Sequence, residues 1–285
     1  MLIPRNDLDF SFGPTQFHPK ADRDFLGWVF DQFLYGEVTG IQCGYWLYRA
    51  PTLAAASFLA RQAAEELSHV KRIIRIQTLL GVLPNKPHRA VKFLSTGMMG
   101  GSWGEHVCME MALGEGLVLT IFYALAATID NPEIQKIIES AIVDEEKHVE
   151  FGEKETLNWL KRYPEDRSTL LAEAVLQAIA MRWLKNFALK KIPAGHPVLK
   201  KFPEFYDHTV SQFESRVFKL GLTDVPLREI GTFSRLKLLL LLPLRRMKMR
   251  FRRSTRKLLT ETYLSDGWLV APEAKNPAPP MDSAL

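Results

Sequence analysis

Cysteine is scarce: two thiols, Cys43 and Cys108, in 285 residues. That excludes a disulfide scaffold and fits a reducing compartment. The opening M-L-I-P-R-N-D-L-D-F lacks the basic-then-apolar pattern of a secretion signal. A cytoplasmic location is therefore the expectation, with attachment at the inner face of the membrane left open. Long apolar runs are missing too. The longest is L-L-L-L-L-P-L at Leu238–Leu244, well short of a membrane-spanning length. Acidic residues are absent from one region: Arg235 to Lys257 holds ten Lys or Arg and no Asp or Glu. The chain as a whole is at +5, so the remainder carries −5 and global basicity says little.

What is abundant is apolar material, 47% of the chain, enough for a sizeable core and too much for a disordered protein. Its periodicity is helical. Phe30, Leu34, Glu37, Ile41, Tyr45 and Tyr48 recur at steps of three and four, predicting a helix from Ala21 to about Tyr48. Arg49-Ala50-Pro51 breaks it, and Pro51 is expected to open a second helix at its first turn. That helix runs to about Leu80 on a stripe through Leu59, Gln62, Glu66, His69, Ile73 and Ile76, with Gly81 ending it. After the Gly-rich T-G-M-M-G-G-S-W-G, a third helix carries Gly104, Cys108, Met111, Glu115, Val118 and Phe122. Asn131-Pro132 caps a fourth, to about Arg162, with Ile134, Ile138, Ala141, Glu145, His148 and Gly152 on one face.

Two stretches within these helices match. Glu37 precedes A-E-E-L-S-H, which supplies Glu66 and His69; Glu115 precedes D-E-E-K-H, which supplies Glu145 and His148. The separations 37 to 66 and 115 to 145 are 29 and 30 residues, and both halves of the ExxH pairs are offset by 79. One ExxH is a weak signal; two, each preceded by a Glu at nearly the same distance, are a strong one. On a helix, i and i+3 share a face, so each Glu–His pair addresses one space. All six residues sit on apolar stripes, where an unpaired carboxylate is costly. A Glu from each of two helices plus Glu-x-x-His from each of two others is a di-iron or di-manganese ligand set. The competing reading of the six is a purely structural network of charges and core histidines. Glu110 is a rival to Glu115, but an α-helix places it about 140° away around the axis, and it would lie 35 residues before its ExxH.

This pattern resembles the ferritin-like di-metal carboxylate superfamily. The resemblance implies an all-α, ferritin-like four-helix bundle over 22–162; before it, Pro4, Pro14 and Pro19 make 1–21 read as an irregular arm. Additional C-terminal helices follow over 163–265, and the Pro-rich tail 266–285 is expected to be disordered. The additional helices are expected at Arg167 to Ile192, His196 to Leu220 and Leu227 to Tyr263, with Pro243 kinking or breaking the last. The superfamily also places an acidic residue before each ExxH glutamate to orient a histidine across the bundle. By that resemblance Asp144 holds His69 and Glu65 holds His148; a solvated charge is the alternative for each. Gly36, Gly40 and Gly44 beside Glu37, with Gly114 and Gly116 beside Glu115, fit either room for a substrate or close helix packing.

A closer likeness lies in G-Y-W-L-Y-R-A-P-T-L, Gly44 to Leu53, followed by E-E-L-S-H. It is similar to the catalytic subunits of ring-epoxidising phenylacetyl-CoA monooxygenases over about residues 25 to 155. Those families tend to carry Asp where Glu115 stands. The resemblance implies two iron ions, or manganese with iron, and dioxygen as cosubstrate. It implies hydroxylation, epoxidation or desaturation of an organic substrate, small or carried as an acyl thioester. Electrons would come from a reductase or ferredoxin. A ferritin-type ferroxidase and a tRNA-modifying di-iron hydroxylase remain alternatives. For the basic segment 235–257 three readings stand: a solvated face, a membrane-surface contact, or a dock for a phosphorylated or acidic carrier. A homodimer is left open.

Overall fold

Apolar residues at steps of three and four fold as helices, and the computed structural model is all-helical across residues 1–5 and 15–252, which it describes. The middle of the N-terminal arm, the end of the last predicted helix and the tail 266–285 lie outside the described residues. Among those described, the one β-type contact is an isolated bridge between Phe17 and Ile129.

Helix α1 (Arg23–Gly40) does not continue to Tyr48 as an α-helix. It tightens after Gly40 into a 3₁₀ stretch, Ile41–Arg49. Three residues per turn moves the buried positions to Cys43 and Trp46, leaving Tyr45 and Tyr48 exposed. Thr52, not Pro51, starts α2 (Leu53–Leu80), its hydroxyl accepting from the Ala55 amide at 3.1 Å. Gly81 closes α2 at φ 68°, a left-handed cap that only glycine adopts cheaply. A short α3 (Arg89–Lys92) and a π-turn (Phe93–Gly97) lead to a continuous rod, Trp103–Thr128. The rod comprises α4 (Trp103–Glu105), a π-helical stretch (His106–Glu115) and α5 (Gly116–Thr128). Among the described residues this rod, not Leu238–Leu244, is the one helix long and apolar enough to cross a membrane, although 67% of its apolar window is buried within the protein.

Helix α6 (Pro132–Arg162) begins as its sequence predicts, with Asn131 Oδ1 accepting from the Ile134 amide at 3.0 Å. Then follow α7 (Arg167–Lys191), α8 (Val198–Lys219) and α9 (Thr232–Arg252), the last running through Pro243 without a break. Helix α1 packs on α2, α2 on α6, and the rod along α6; α7 and α8 cover the rod, and α9 lies on α7.

Two apolar clusters form the core. One gathers Leu26, Phe30, Ile76, Phe122 and Ile138; the other gathers Trp46, Leu59, Trp103, Met111 and Val217. On α1, α2 and the rod, the acidic residues fall between them. Close contact of the rod with α6 depends on Gly152, where a Cβ would lie 2.6 Å from Met111 Cβ and 2.7 Å from the Ala112 amide nitrogen. Backbone cannot yield there, so Gly152→Ala is expected to destabilise the fold by about 1–3 kcal/mol. Urea unfolding of the variant measures this directly.

Candidate metal centre

The stripes of α1, α2, the rod and α6 bring Glu37, Glu66, His69, Glu115, Glu145 and His148 into one interior space. Glu37, Glu66, His69 and Glu145 form one group and Glu66, Glu115 and His148 a second, with donor atoms inside each group within 4.8 Å of one another. All but Glu115 are almost wholly shielded from solvent. Both histidines turn Nδ1 inward. His69 Nδ1 lies 3.0 Å from Glu37 Oε2, 3.2 Å from Glu145 Oε1 and 3.9 Å from Glu66 Oε2. His148 Nδ1 lies 3.5 Å from Glu66 Oε1 and 3.7 Å from Glu145 Oε2. Glu66 and Glu145 thus each offer one oxygen toward each imidazole, while Glu37 and Glu115 stand at opposite ends.

The outer nitrogens are held crosswise. His69 Nε2 lies 3.4 Å from Asp144 and His148 Nε2 lies 2.8 Å from Glu65. A carboxylate on Nε2 keeps a proton there and directs Nδ1 inward, where its lone pair would be available to a cation. Asp144 is itself fixed by Arg72 at 3.2 Å and Lys147 at 3.1 Å. Sequence reasoning did not assign a role to Gln62, which donates to Glu115 Oε1 at 2.9 Å. Its place one turn before Glu66 on the same stripe was the available signal.

The rod's helical register differs from expectation. In a π-helix, residue i+5 closes the turn, so Glu110 and Glu115 come onto one side of the rod instead of about 140° apart. Both border the same cavity, and Glu110 helps to raise the Glu115 pKa. Glu110 nevertheless stays out of the cluster. It is tied to His106 Nδ1 at 2.8 Å and to the Gly100 amide at 2.7 Å.

The glycines divide by position. A Cβ on Gly40 would lie 2.6 Å from Glu66 Oε2, and one on Gly116 2.5 Å from the Arg216 guanidinium, whereas Gly36 and Gly44 face open space. Gly40 is therefore what lets α1 approach the Glu66 carboxylate. Cys43 and Cys108 are both buried free thiols.

Burial pushes Glu66 well above the ordinary carboxylate range, helped by the charges of Glu145, Glu37 and Glu115. Burial does the same to Glu115 and, with Glu145, raises Glu37. For the imidazoles burial opposes charge. The facing carboxylates of Glu145 and Glu37 outweigh it and lift His69 to about 10, and those of Glu145 and Glu65 lift His148 to about 11. Burial pushes Glu145 upward as well, but the adjacent His148 and His69 imidazoles win and hold it at about 2. Protons thus take the place that cations would fill.

Five of the six groups bind protons more tightly in the folded chain than in the unfolded one. Above the ordinary carboxylate range the cation-free fold therefore loses stability as pH rises toward the histidine values. A cation bound there would displace those protons, so its affinity would rise over the same range. The melting temperature of chelator-treated protein is expected to fall between about pH 6 and about pH 9. Manganous ion should raise it more at the alkaline end. Thermal scans with and without the ion check both signs.

The donor set fits a metal pair on a further observation. Glu115 Oε2, Glu145 Oε2 and His148 Nδ1 are buried without any hydrogen-bond partner, a costly state for three polar atoms that face one another. Beside them opens a cavity of about 350 Å³, bordered by Glu37, Glu66, Glu115 and Glu145 and otherwise walled mainly by apolar side chains. Helices α7 and α8 contribute Gln177, Met181, Phe202, Tyr206 and Phe213 to its wall. Polar points in the lining are the orphaned His106 Nε2, Gln177 Oε1 and Tyr206 hydroxyl. Nothing in the sequence marked these, because α7 and α8 carry no motif that ties them to the ExxH pairs.

Comparison with known protein families, curated proteins and solved structures returns no match to this chain.

Proposed function

We propose that the protein is a di-metal carboxylate oxygenase acting on a largely apolar small molecule. On this reading α1, α2, the rod and α6 constitute a ferritin-like four-helix bundle, and α7 to α9 are additions that wall the substrate space. The observation that carries it is the apolar cavity opening directly onto four interior carboxylates. A storage protein has no use for such a space beside its cations, whereas an oxygenase needs a dry, shaped one.

Glu37, Glu66, His69 and Glu145 would hold one cation and Glu66, Glu115 and His148 the other. Iron, or manganese with iron, supplies the capacity to reduce dioxygen with electrons from a separate donor protein. The chain's own contribution is placement. Asp144 and Glu65 fix the imidazoles, Gln62 orients Glu115, and Gly40 gives Glu66 its position. The apolar wall excludes water and sets a C–H or C=C bond against the cluster. His106, held by Glu110, offers a hydrogen-bonding point for a polar group on the bound molecule.

The acyl-thioester version rests on the resemblance at Gly44–Leu53 and has no further support in the cavity. The tRNA version is weakened by α9, whose described arginines bond inward. The test is reduced, iron-loaded protein supplied with isotopically labelled dioxygen and ethylbenzene as a surrogate. Label in an alcohol or ring-oxidised product is expected. Iron oxidation into a mineral core inside a shell-like oligomer, with no label transferred, would favour storage instead.

A further inference from the structure

Helix α9 is turned inside out with respect to its composition. Its described arginines face the protein: Arg235 donates to the Leu227 and Arg228 carbonyls at 2.7 and 3.0 Å, and Arg245 to the Ser168 carbonyl at 3.2 Å. Arg246 lies between two carboxylates with no solvent exposure, bonding Glu173 and lying 3.2 Å from Glu105. What the helix presents outward is apolar. Phe233, Leu236, Leu240, Leu244 and Met247 are 80, 53, 69, 59 and 51% exposed. At 100° per residue their steps of three, four, four and three keep them within a stripe roughly 80° wide. The exposed Lys237 and Lys248 fall along one edge of it.

We infer that this face docks the protein on an anionic lipid surface, lying in the plane of the interface. A continuous stripe of five large apolar side chains is a feature that soluble surfaces avoid unless something covers it. The lipid assignment rests on charge. Beyond the stripe the sequence adds Arg250, Arg252, Arg253, Arg256 and Lys257, and no acidic residue occurs between Glu229 and Glu261. Apolar insertion with flanking cations is how interfacial helices hold anionic membranes. Pairing with a second copy through the same stripe would instead set these cations against their own kind, with no carboxylate on the helix to offset them. The inward arginines serve a separate purpose, anchoring α9 to α7 through Glu173, so the stripe is displayed on a fixed element. The inference is independent of the metal centre.

The experiment is co-sedimentation of the full chain with vesicles of phosphatidylcholine alone and of phosphatidylcholine mixed with phosphatidylglycerol. Binding to the mixed vesicles is expected, weakening as salt rises. Leu240→Glu/Leu244→Glu should remove it. Lys237→Glu/Lys248→Glu should lower affinity for the mixed vesicles on the order of tenfold and narrow the preference over the neutral ones. Both pairs are exposed, and unchanged circular dichroism and melting temperature verify that the variants fold. No vesicle binding by the wild-type chain, or equal binding by the leucine variant, overturns the inference. So does a wild-type dimer, without vesicle binding, that the leucine variant splits, and so does a stripe that binds an acidic protein but no lipid.

Discussion

Replacing Glu66 by alanine is expected to empty both cation positions at once. Glu66 belongs to both donor groups, with Oε2 toward His69 and Oε1 toward His148. Loss of a terminal donor such as Glu37 leaves the second group intact; loss of Glu66 leaves neither group complete. The predicted outcome is a fall from about two bound metals per chain to near none, with dioxygen consumption falling in step. The change should cost the metal-free state little ion-pair energy, because burial and three neighbouring carboxylates disfavour the charged form of Glu66. Melting temperature without metal is therefore expected to hold while metal-induced stabilisation disappears. Metal analysis paired with thermal scans separates this from simple misfolding, which would lower both.

The second large effect comes from residues behind the ligands. Asp144→Ala removes the partner of His69 Nε2, and Glu65→Gln removes the charge facing His148 Nε2. Neither touches the cation space, yet each frees an imidazole to rotate or to take the wrong tautomer. Losses of about 10–100-fold in metal affinity are expected for either. The Asp144 change should be the larger in its structural consequences, since Arg72 and Lys147 lose their shared acceptor with it. Competition against a calibrated chelator measures the affinities. An unchanged affinity in both variants would show that these carboxylates are ordinary surface charges.

How far the sequence predicts the site follows from what is local and what is not. The i, i+3 spacing of Glu66 with His69, and of Glu145 with His148, is a property of a single helix, so the pairing was legible. The crosswise partners Asp144 and Glu65 follow from the duplicated pattern once the superfamily resemblance is granted. The π-helical stretch was not legible, since residues 106–115 suit an α-helix equally well. Its register comes from packing, including the Gln177 side chain that donates to the Met109 carbonyl at 2.8 Å. The 3₁₀ turn after Gly40 escaped for the same reason, and with it the exposure of Tyr45 and Tyr48. For α9 the sequence indicated a basic segment, but the direction in which its arginines point depends on Glu105 and Glu173. Those residues lie more than seventy positions upstream.

The most direct test of the central claim is Mössbauer spectroscopy, with metal analysis, on protein loaded with enriched iron. The account predicts about two irons per chain as a magnetically coupled pair, abolished in Glu115→Ala and retained in Glu110→Ala. Isolated mononuclear iron, no iron, or a pair that survives loss of Glu115 but not of Glu110 would contradict it.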